Sequence, residues 1–449
     1  MIQTISTKIL IIGAGFCGRA VASTLDPSDY IIIDCGEPFS YESVLSSKNP
    51  PWNPPIIGKI PSFRMGFMDA NWQSYMLGGN SNWWGGWASR ISDKILSGWI
   101  DPNVIKPFYV KAERLLNTHG DIIHNPDLVG EIPGAKFWKE WALDFFENSH
   151  ITPETKNFTR DDKGKCLGRG TCRACPENAK TMPSDIKIEN LAYSTKLINL
   201  NCKDGKATVQ DEEGLYDIEF EQVVIASGGF ENVKIAKSFN SDAGKFFQDH
   251  TSASLLVKFD KTIPYRKIGA ESHLEIEDLC IIHNDIEIKT LLLTAEPSIE
   301  LLSISDIDPD IERDTFGQIW LQIEIPPSWN LEMKTRDNKF YVDYTSYIRN
   351  LQLIDEAVEV ISSKLSQKGI QVCAKNLNYR MDYGGFHLSG TTMIGKIVDN
   401  DCKIIGTDNV YVSGASVIPR AGGSGPSLTA VALAIKLGEH LKNKLRNEN

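Results

Sequence analysis

Residues 9–18 read ILIIGAGFCG, and residues 409–441 read NVYVSGASVIPRAGGSGPSLTAVALAIKLGEHL. The first stretch is an apolar run, fit for a buried parallel strand, that enters G-x-G-x-x-G. Gly13 permits a tight turn, Gly15 lets backbone approach a pyrophosphate, and Gly18 lets the following helix sit against the strand. A helix is expected from about Phe16 to Leu25, with its N-terminal amides turned to the phosphate. A second apolar strand, Tyr30 to Ile33, ends in Asp34, about 20 residues past the glycines, where an acid meets a ribose hydroxyl. The C-terminal stretch repeats the theme as strand, glycine-rich turn and long apolar helix. Two ends of one chain that both fit a dinucleotide predict one discontinuous cofactor domain. This motif does not distinguish FAD from NAD.

Composition sets the limits. A chain of 449 residues is long enough for two or three domain-sized units, and 41% hydrophobic residues support a large core. A formal charge of −11 argues against electrostatic nucleic-acid binding. No apolar run reaches the roughly 20 residues that span a bilayer. The apolar start belongs to the first strand and lacks a signal-peptide layout, so a cytoplasmic protein is expected. Nine cysteines without a secretion signal read as thiols or ligands rather than a disulfide framework.

Between the ends, NPPWNPP at 49–55 excludes regular helix. MLGGNSNWWGGWASR at 76–90 packs glycines and tryptophans as if against a large flat ligand, or as an aromatic core turn. Residues 104–117 have helical spacing, with Val104, Phe108, Ala112, Leu115 and Leu116 as the expected buried face. QVVIASGGFENVKIAK at 222–237 is another strand, glycine turn and helix. From about 252 to 380 alternating strands dominate, interrupted by a helix at 351–366. No internal repeat and no low-complexity tract is evident.

Five blocks in order resemble the glucose-methanol-choline (GMC) family of FAD-dependent oxidoreductases. They are IIGAGFCG at 11–18, LGGNSNWWGGW at 77–87, VVIASGGFENVKIA at 223–236, HLSGTTMIG at 387–395, and NVYVSGASVIP with GPSLTAVALAI at the C-terminus. GKFFQDH at 244–250 is similar to a further family segment. The resemblance implies an α/β fold: a Rossmann-like FAD-binding domain of glutathione-reductase type, made of 1–95, 185–251 and 380–449. A connecting region at 96–184 and an inserted sheet-based α+β substrate domain at 252–379 complete it. It places Gly79, Asn80, Asn82, Trp83, Gly228, Gly414, Ala415, Pro426 and Ser427 beside FAD, with Gly13, Gly15, Phe16, Gly18 and Asp34. Trp83 stands where some relatives carry a histidine bonded covalently to FAD, so non-covalent FAD is expected.

The implied reaction is oxidation of a hydroxyl group of a small-molecule substrate, by hydride transfer to flavin N5. It needs a base for the hydroxyl proton and stabilisation of the alkoxide-like oxygen. His387, in the family's His-x-x-Gly position, is the candidate base, and an imidazole titrates near ~6.5. His250 and His440 are weaker candidates. The family usually sets an Asn or His before the last helix as the partner of the base, and here that slot holds Gly425. Ser424, Ser427, Asn80, Asn82 or the substrate would have to fill it. An altered, lyase- or decarboxylase-type chemistry and a degenerate flavin-binding subunit therefore stay open. SNWWGGW resembles bacterial relatives associated with saccharides, which points to a sugar-like substrate.

Cys166, Cys172 and Cys175, spaced C-x5-C-x2-C and followed by Pro176, leave two readings open. One is a three-cysteine iron–sulfur site that passes electrons to an acceptor partner. The other is a metal-free turn, as in relatives with segments like CPENAK at 175–180. Zinc would need a fourth ligand.

Overall fold

The computed structural model describes residues 3–38, 67–69, 74–158, 164–166, 179–265, 272–303, 313–336, 339–343, 345–378 and 387–447. The apolar run of the first motif is the strand Gln3–Ile12, buried at its C-terminal half. It pairs in parallel with Tyr30–Ile33 on one side and Leu215–Ile225 on the other. Leu215–Ile225 in turn pairs in parallel with Val410–Val412. The register aligns Ile12 with Ile33 and Ile225, and Ile225 with Val412. The turns that follow Ile12, Ile225 and Val412 are thereby delivered to one edge. An antiparallel meander of Lys196–Asn201, Lys206–Gln210 and Leu215–Ile225, and the short strand Leu191–Ala192 parallel to Tyr30–Ile33, complete this seven-stranded sheet.

Helices cover the sheet. Phe16–Ala22, shorter than expected, packs against the C-terminal helix Ser427–Asn447, which in turn packs against Pro102–Leu115. The last is capped by Asp101, which accepts a hydrogen bond from Asn103 N (2.9 Å), and starts on Pro102, whose missing N–H costs nothing there. Its buried face differs from expectation. Ile105, Tyr109, Ala112 and Glu113 point inward, and Val104 is 47% exposed. The buried carboxylate of Glu113 holds Arg90 through two 2.8 Å hydrogen bonds. That contact turns the helix by about one residue from the purely hydrophobic reading.

Most strands between residues 250 and 378 form a second sheet, in the order Gln371–Asn378, His250–Lys258, Phe316–Glu324, Ile286–Leu293, His273–Ile276 and Ser149–Ile151, while Glu332–Arg336, Lys339–Asp343 and Phe67–Asp69 pair separately. Its edge strand Ser149–Ile151 comes from the region expected to be a connector. The pleat sorts its residues. Ile319, Leu321 and Ile323 join a core with Ile354, Val358 and Ile361 of the helix Leu351–Gln367. Trp320, Gln322 and Glu324 face the other way. Glu287 and Lys289 share that polar side, because Lys289 pairs with Gln322. Among the described residues, no helix is long and apolar enough to cross a membrane.

The N- and C-terminal helices approach closely at Gly438. A Cβ there would stand 2.8 Å from Val21 O and closer still to Thr24 Oγ1. Gly→Ala inside an exposed helix normally gains up to about 1 kcal/mol. Here the sign should reverse. Gly438→Ala is expected to cost about 1–3 kcal/mol, the usual range for overpacking, in chemical denaturation. A stabilised variant would show that the two helices can separate freely.

Candidate active site

One cavity of ≈ 1390 Å³ runs from the glycine turns of the first sheet to the polar face of the second. At its near end lie Gly13, Gly15, Phe16 and Asp34. Gly13 has φ +108°, and a Cβ on it would meet Ala226 C at 2.7 Å, so only glycine fits. A Cβ on Gly15 would crowd Ser81 Oγ (3.2 Å) and Gly78 O (3.4 Å). Gly18 does not line the cavity. Its missing side chain lets the helix rest on Gly13, where a Cβ would collide with Gly13 O. Asp34 accepts hydrogen bonds from Ala14 N and Gly36 N, both at 2.8 Å, and so braces the turn it faces. Burial pushes its carboxyl above the ordinary carboxylate range against those bonds.

The 77–87 segment forms the middle wall. Gly79, Asn80 and Trp83 line the cavity. Asn82 does not. It is buried and donates from Nδ2 to Leu77 O (2.9 Å), closing the turn instead. The turn is fastened twice more. Ser81 Oγ accepts from Phe16 N (3.2 Å), and the buried Lys180 donates to Asn82 O and Trp84 O, both at 2.8 Å. Lys180, the last residue of CPENAK, thereby braces the tryptophan turn. Gly228, Gly414, Ala415, Pro426 and Ser427 line the opposite wall. Asn232 locks two of these turns together, accepting from Ser227 N (2.8 Å) and donating to Ser413 O (3.1 Å). An elongated cradle of glycine turns and helix N-termini fits a dinucleotide.

At the far end stand Trp87, Lys156, His273, Trp320 and His387. The rings of Trp87, His273 and Trp320 form a cluster with centroids 5.7–6.2 Å apart. Lys156 Nζ lies 3.1 Å from Glu154 Oε2, and His273 Nδ1 lies 3.7 Å from Glu154 Oε1. Glu154 Oε2 is thus engaged by Lys156, whereas Glu154 Oε1, Trp87 Nε1 and His273 Nδ1 are buried without a hydrogen-bond partner among the described residues. Polar atoms left so are expected where a polar ligand belongs.

His387 is placed by two neighbours that the sequence reading ranked low or passed over. Its Nδ1 lies 3.0 Å from His250 Nδ1 and 3.0 Å from Gln322 Nε2. His250 Nε2 meets Gly422 O, a group that only accepts, so Nε2 carries the proton. Burial holds the His250 pKa down to about 4, so the ring is neutral and its Nδ1 accepts. His387 Nδ1 must then be the donor, and His387 Nε2 bears the lone pair. Gln322 would set a donor against that proton, while its Oε1 has no partner among the described residues. Exchanging the amide O and N removes the opposed donors and sets the amide nitrogen in the position without a partner. Beneath the pair, Asp249 Oδ1 accepts His250 N (2.8 Å) and His387 N (3.0 Å), tying the two histidine backbones together. Burial pushes this carboxyl up to about 7 despite those bonds.

The side of His387 that bears Nε2 faces Gly425. A Cβ on Gly425 would stand 3.4 Å from Nε2 and 3.7 Å from Trp87 Cε3. Ser424 does not fill the gap. It is buried and donates to Arg90 O (3.1 Å). His440 sits on the C-terminal helix beside Asp401 (3.8 Å), not among the lining residues. Of the three loop cysteines, Cys172 and Cys175 lie outside the described residues. Cys166 is half-buried against the second core, and its N donates to Asn157 O (2.8 Å).

Comparison with known proteins agrees with this architecture. The GMC oxidoreductase family model matches residues 334–434. A putative GMC-type oxidoreductase of Acanthamoeba polyphaga mimivirus is 32% identical over 100 residues, 20% of this chain and 17% of that protein. The chain thus matches less than a fifth of that relative's length. A putative truncated GMC-type inactive oxidoreductase of the same virus is 36% identical over 58 residues, 13% of this chain and 72% of that protein. Two solved structures share the fold along nearly the whole chain. Pyridoxine 4-oxidase from Mesorbium loti has a TM-score of 0.62 at 15% identity, covering 97% of this chain and 99% of that one. Formate oxidase of Aspergillus oryzae RIB40 has a TM-score of 0.64 at 12% identity, covering all of both. With residues 334–434 matched by the family model, 72% of a 36%-identical relative covered and the fold shared end to end, this chain belongs to the GMC oxidoreductase family.

Proposed function

We propose that this chain binds FAD non-covalently and oxidises a hydroxyl group of a sugar or sugar-like compound, with His387 as the base. The observation that carries the reading is the tautomer of His387, fixed by His250 so that Nε2 can accept a proton in the cavity. Gly13, Gly15, Gly228 and Gly414 would hold the dinucleotide, and Ser427 begins a 21-residue helix whose N-terminus favours negative charge there. FAD supplies an acceptor for the hydride. As the hydroxyl gave its proton to Nε2, the hydrogen on the adjacent carbon would leave with the C–H bonding pair as hydride to that acceptor, and the carbonyl would form. His387 Nδ1 keeps its hydrogen bond to His250 throughout, so the ring need not turn. Trp87 and Trp320 offer flat walls for a sugar ring, and Lys156, Glu154 and His273 offer polar partners for further hydroxyls.

A second reading is favoured by Gly425, which gives the substrate oxygen no side-chain partner, and by the inactive label of one relative. In it the fold keeps the flavin for other chemistry, or for none. Anaerobic mixing with a panel of sugars and polyols separates the two. Bleaching of the flavin supports oxidation, and a spectrum unchanged by every member favours the second reading.

His387→Ala should retain FAD and slow anaerobic flavin reduction by about 10²–10⁴-fold, as for loss of a general base. An unchanged rate would remove His387 from the mechanism. Gly425→Asn should slow reduction as well, because its Cβ would enter the space beside Nε2. Acceleration would instead mean that a missing partner limits the reaction.

Asp249 makes a separate prediction. A carboxyl whose folded pKa is raised contributes stability that is present below its unfolded pKa and lost as pH rises through the folded value. For Asp249 that window runs from about 4 to about 7. Asp249→Asn keeps an acceptor oxygen for the two backbone amides. It should match the parent near pH ~4 and exceed it by roughly 2–4 kcal/mol near pH ~8 in urea denaturation. A difference that does not vary with pH would place the charge elsewhere.

A further inference from the structure

At the edge of the second sheet, three side chains converge that no part of the proposed reaction uses. His150 lies on the edge strand Ser149–Ile151, His124 on the loop 121–128, and Glu277 opens the short helical turn Glu277–Leu279. One donor atom from each falls within 4.8 Å of the others. Glu277 Oε1 is 2.9 Å from His150 Nδ1 and 3.7 Å from His124 Nε2. Tetrahedral bonds of about 2.0–2.1 Å put donor atoms roughly 3.3 Å apart, which these two edges bracket.

We propose that His124, His150 and Glu277 form a binding site for a divalent transition metal of the zinc type. Two imidazoles and one carboxylate select zinc-like ions over calcium or magnesium, which take oxygen ligands, and leave one position for water. The backbone is prepared for it. Asp121 Oδ1 accepts His124 N (3.2 Å) and Ile123 N (3.0 Å), and Lys139 holds the other Asp121 oxygen at 2.8 Å. Glu277 N donates to Asn148 O (3.0 Å), next to the edge strand. A second carboxylate stands behind. The buried Glu275 has Oε2 3.9 Å from His150 Nε2, while Lys289 holds its Oε1 at 2.7 Å. At that distance Glu275 supplies negative charge behind the imidazole rather than a hydrogen bond to it.

One rearrangement is required. The His124 and His150 rings stack face to face, 4.0 Å apart and 5° from parallel, so their in-plane lone pairs do not converge. The His150 ring is buried, whereas the His124 side chain is 47% exposed. His124 therefore turns out of the stack towards Glu277 as the metal displaces the proton between His150 and Glu277. The site would pin the 121–128 loop to the sheet that carries His273 and Glu275 on the cavity side.

The test is titration of the full-length protein with Zn²⁺ by calorimetry and with Co²⁺ by absorption spectroscopy, alongside His124→Ala and Glu277→Gln. Wild type should bind one equivalent of Co²⁺ with the weak visible bands of nitrogen and oxygen ligation. Each variant should bind at least about tenfold more weakly, since losing an outer-shell partner alone costs 10–100-fold. Zn²⁺ should also raise the melting temperature of wild type and not of the variants. Thiolate charge-transfer bands at one equivalent would assign the metal to cysteines and overturn the proposal. So would absence of saturable binding, or equal affinity in wild type and both variants.

Discussion

The parallel register of Gln3–Ile12, Leu215–Ile225 and Val410–Val412 is the constraint on which the rest depends. Ile12, Ile225 and Val412 lie level across the sheet although some 400 residues of chain separate the first from the last. Each strand runs into a turn that holds a glycine with positive φ: Gly13 at +108°, Gly228 at +86° and Gly414 at +136°. A slip of one residue in any pairing would turn a strand's core residues to the wrong face and move its glycine off the common edge. Burial enforces the register, since Ile9, Leu10, Ile11, Val223, Val224, Ile225, Val410 and Val412 are all fully buried. The cradle is thus a consequence of core packing, and Asn232 fixes the last degree of freedom by bonding two turns at once.

The second sheet meets a different demand. Both its faces are covered, yet only one is apolar. Strands that bury Ile319, Leu321 and Ile323 on one side carry Trp320, Gln322 and Glu324 on the other, and the latter must be satisfied without water. The solution is charge pairing and backbone capture. Glu324 holds Arg420 with two 2.8 Å bonds, Lys289 holds Glu275, and Glu287 accepts Gly423 N at 2.6 Å. These contacts seize the 420–425 segment from the sheet side. Gly422 O, which sets the His250 tautomer, and Gly425, which opens space beside His387, are therefore positioned by polar residues on strands remote in sequence.

Much of the first sheet was legible because its signals are local: apolar run, glycine turn, helix, acid. The helix at 102–115 lies about one residue out of phase with the apolar spacing of 104–117, because a buried Glu113–Arg90 pair cannot be found by counting apolar residues. Asn82 was assigned to the cofactor on its place in a glycine-rich block, yet its amide closes a turn. The sequence ranks His250 below His387, and nothing local marks Lys180. Both act across long sequence separations, 137 residues between His250 and His387 and 98 between Lys180 and Asn82. One signal was available. The alternation of Gln318, Trp320, Gln322 and Glu324 within a strand otherwise made of isoleucine and leucine marks a polar face that is nonetheless buried, and such a face belongs beside a site.

That face also accounts for the departure at Gly425. A base opposed by a side chain across the substrate is held from the front and depends on that partner for its orientation. His387 is held from behind, through Nδ1, by a neutral histidine whose own proton is committed to Gly422 O. Its backbone is held by Asp249. If His387 is the base, an imidazole fixed in tautomer and tilt at its rear would need nothing in front except a substrate hydroxyl. A glycine in front then leaves space beside His387 and Trp87 without loosening that imidazole. On this reading Gly425 enlarges the substrate space, and the polar groups stranded around it, Glu154 and His273 among them, are the partners that a bulkier, hydroxyl-rich substrate would use.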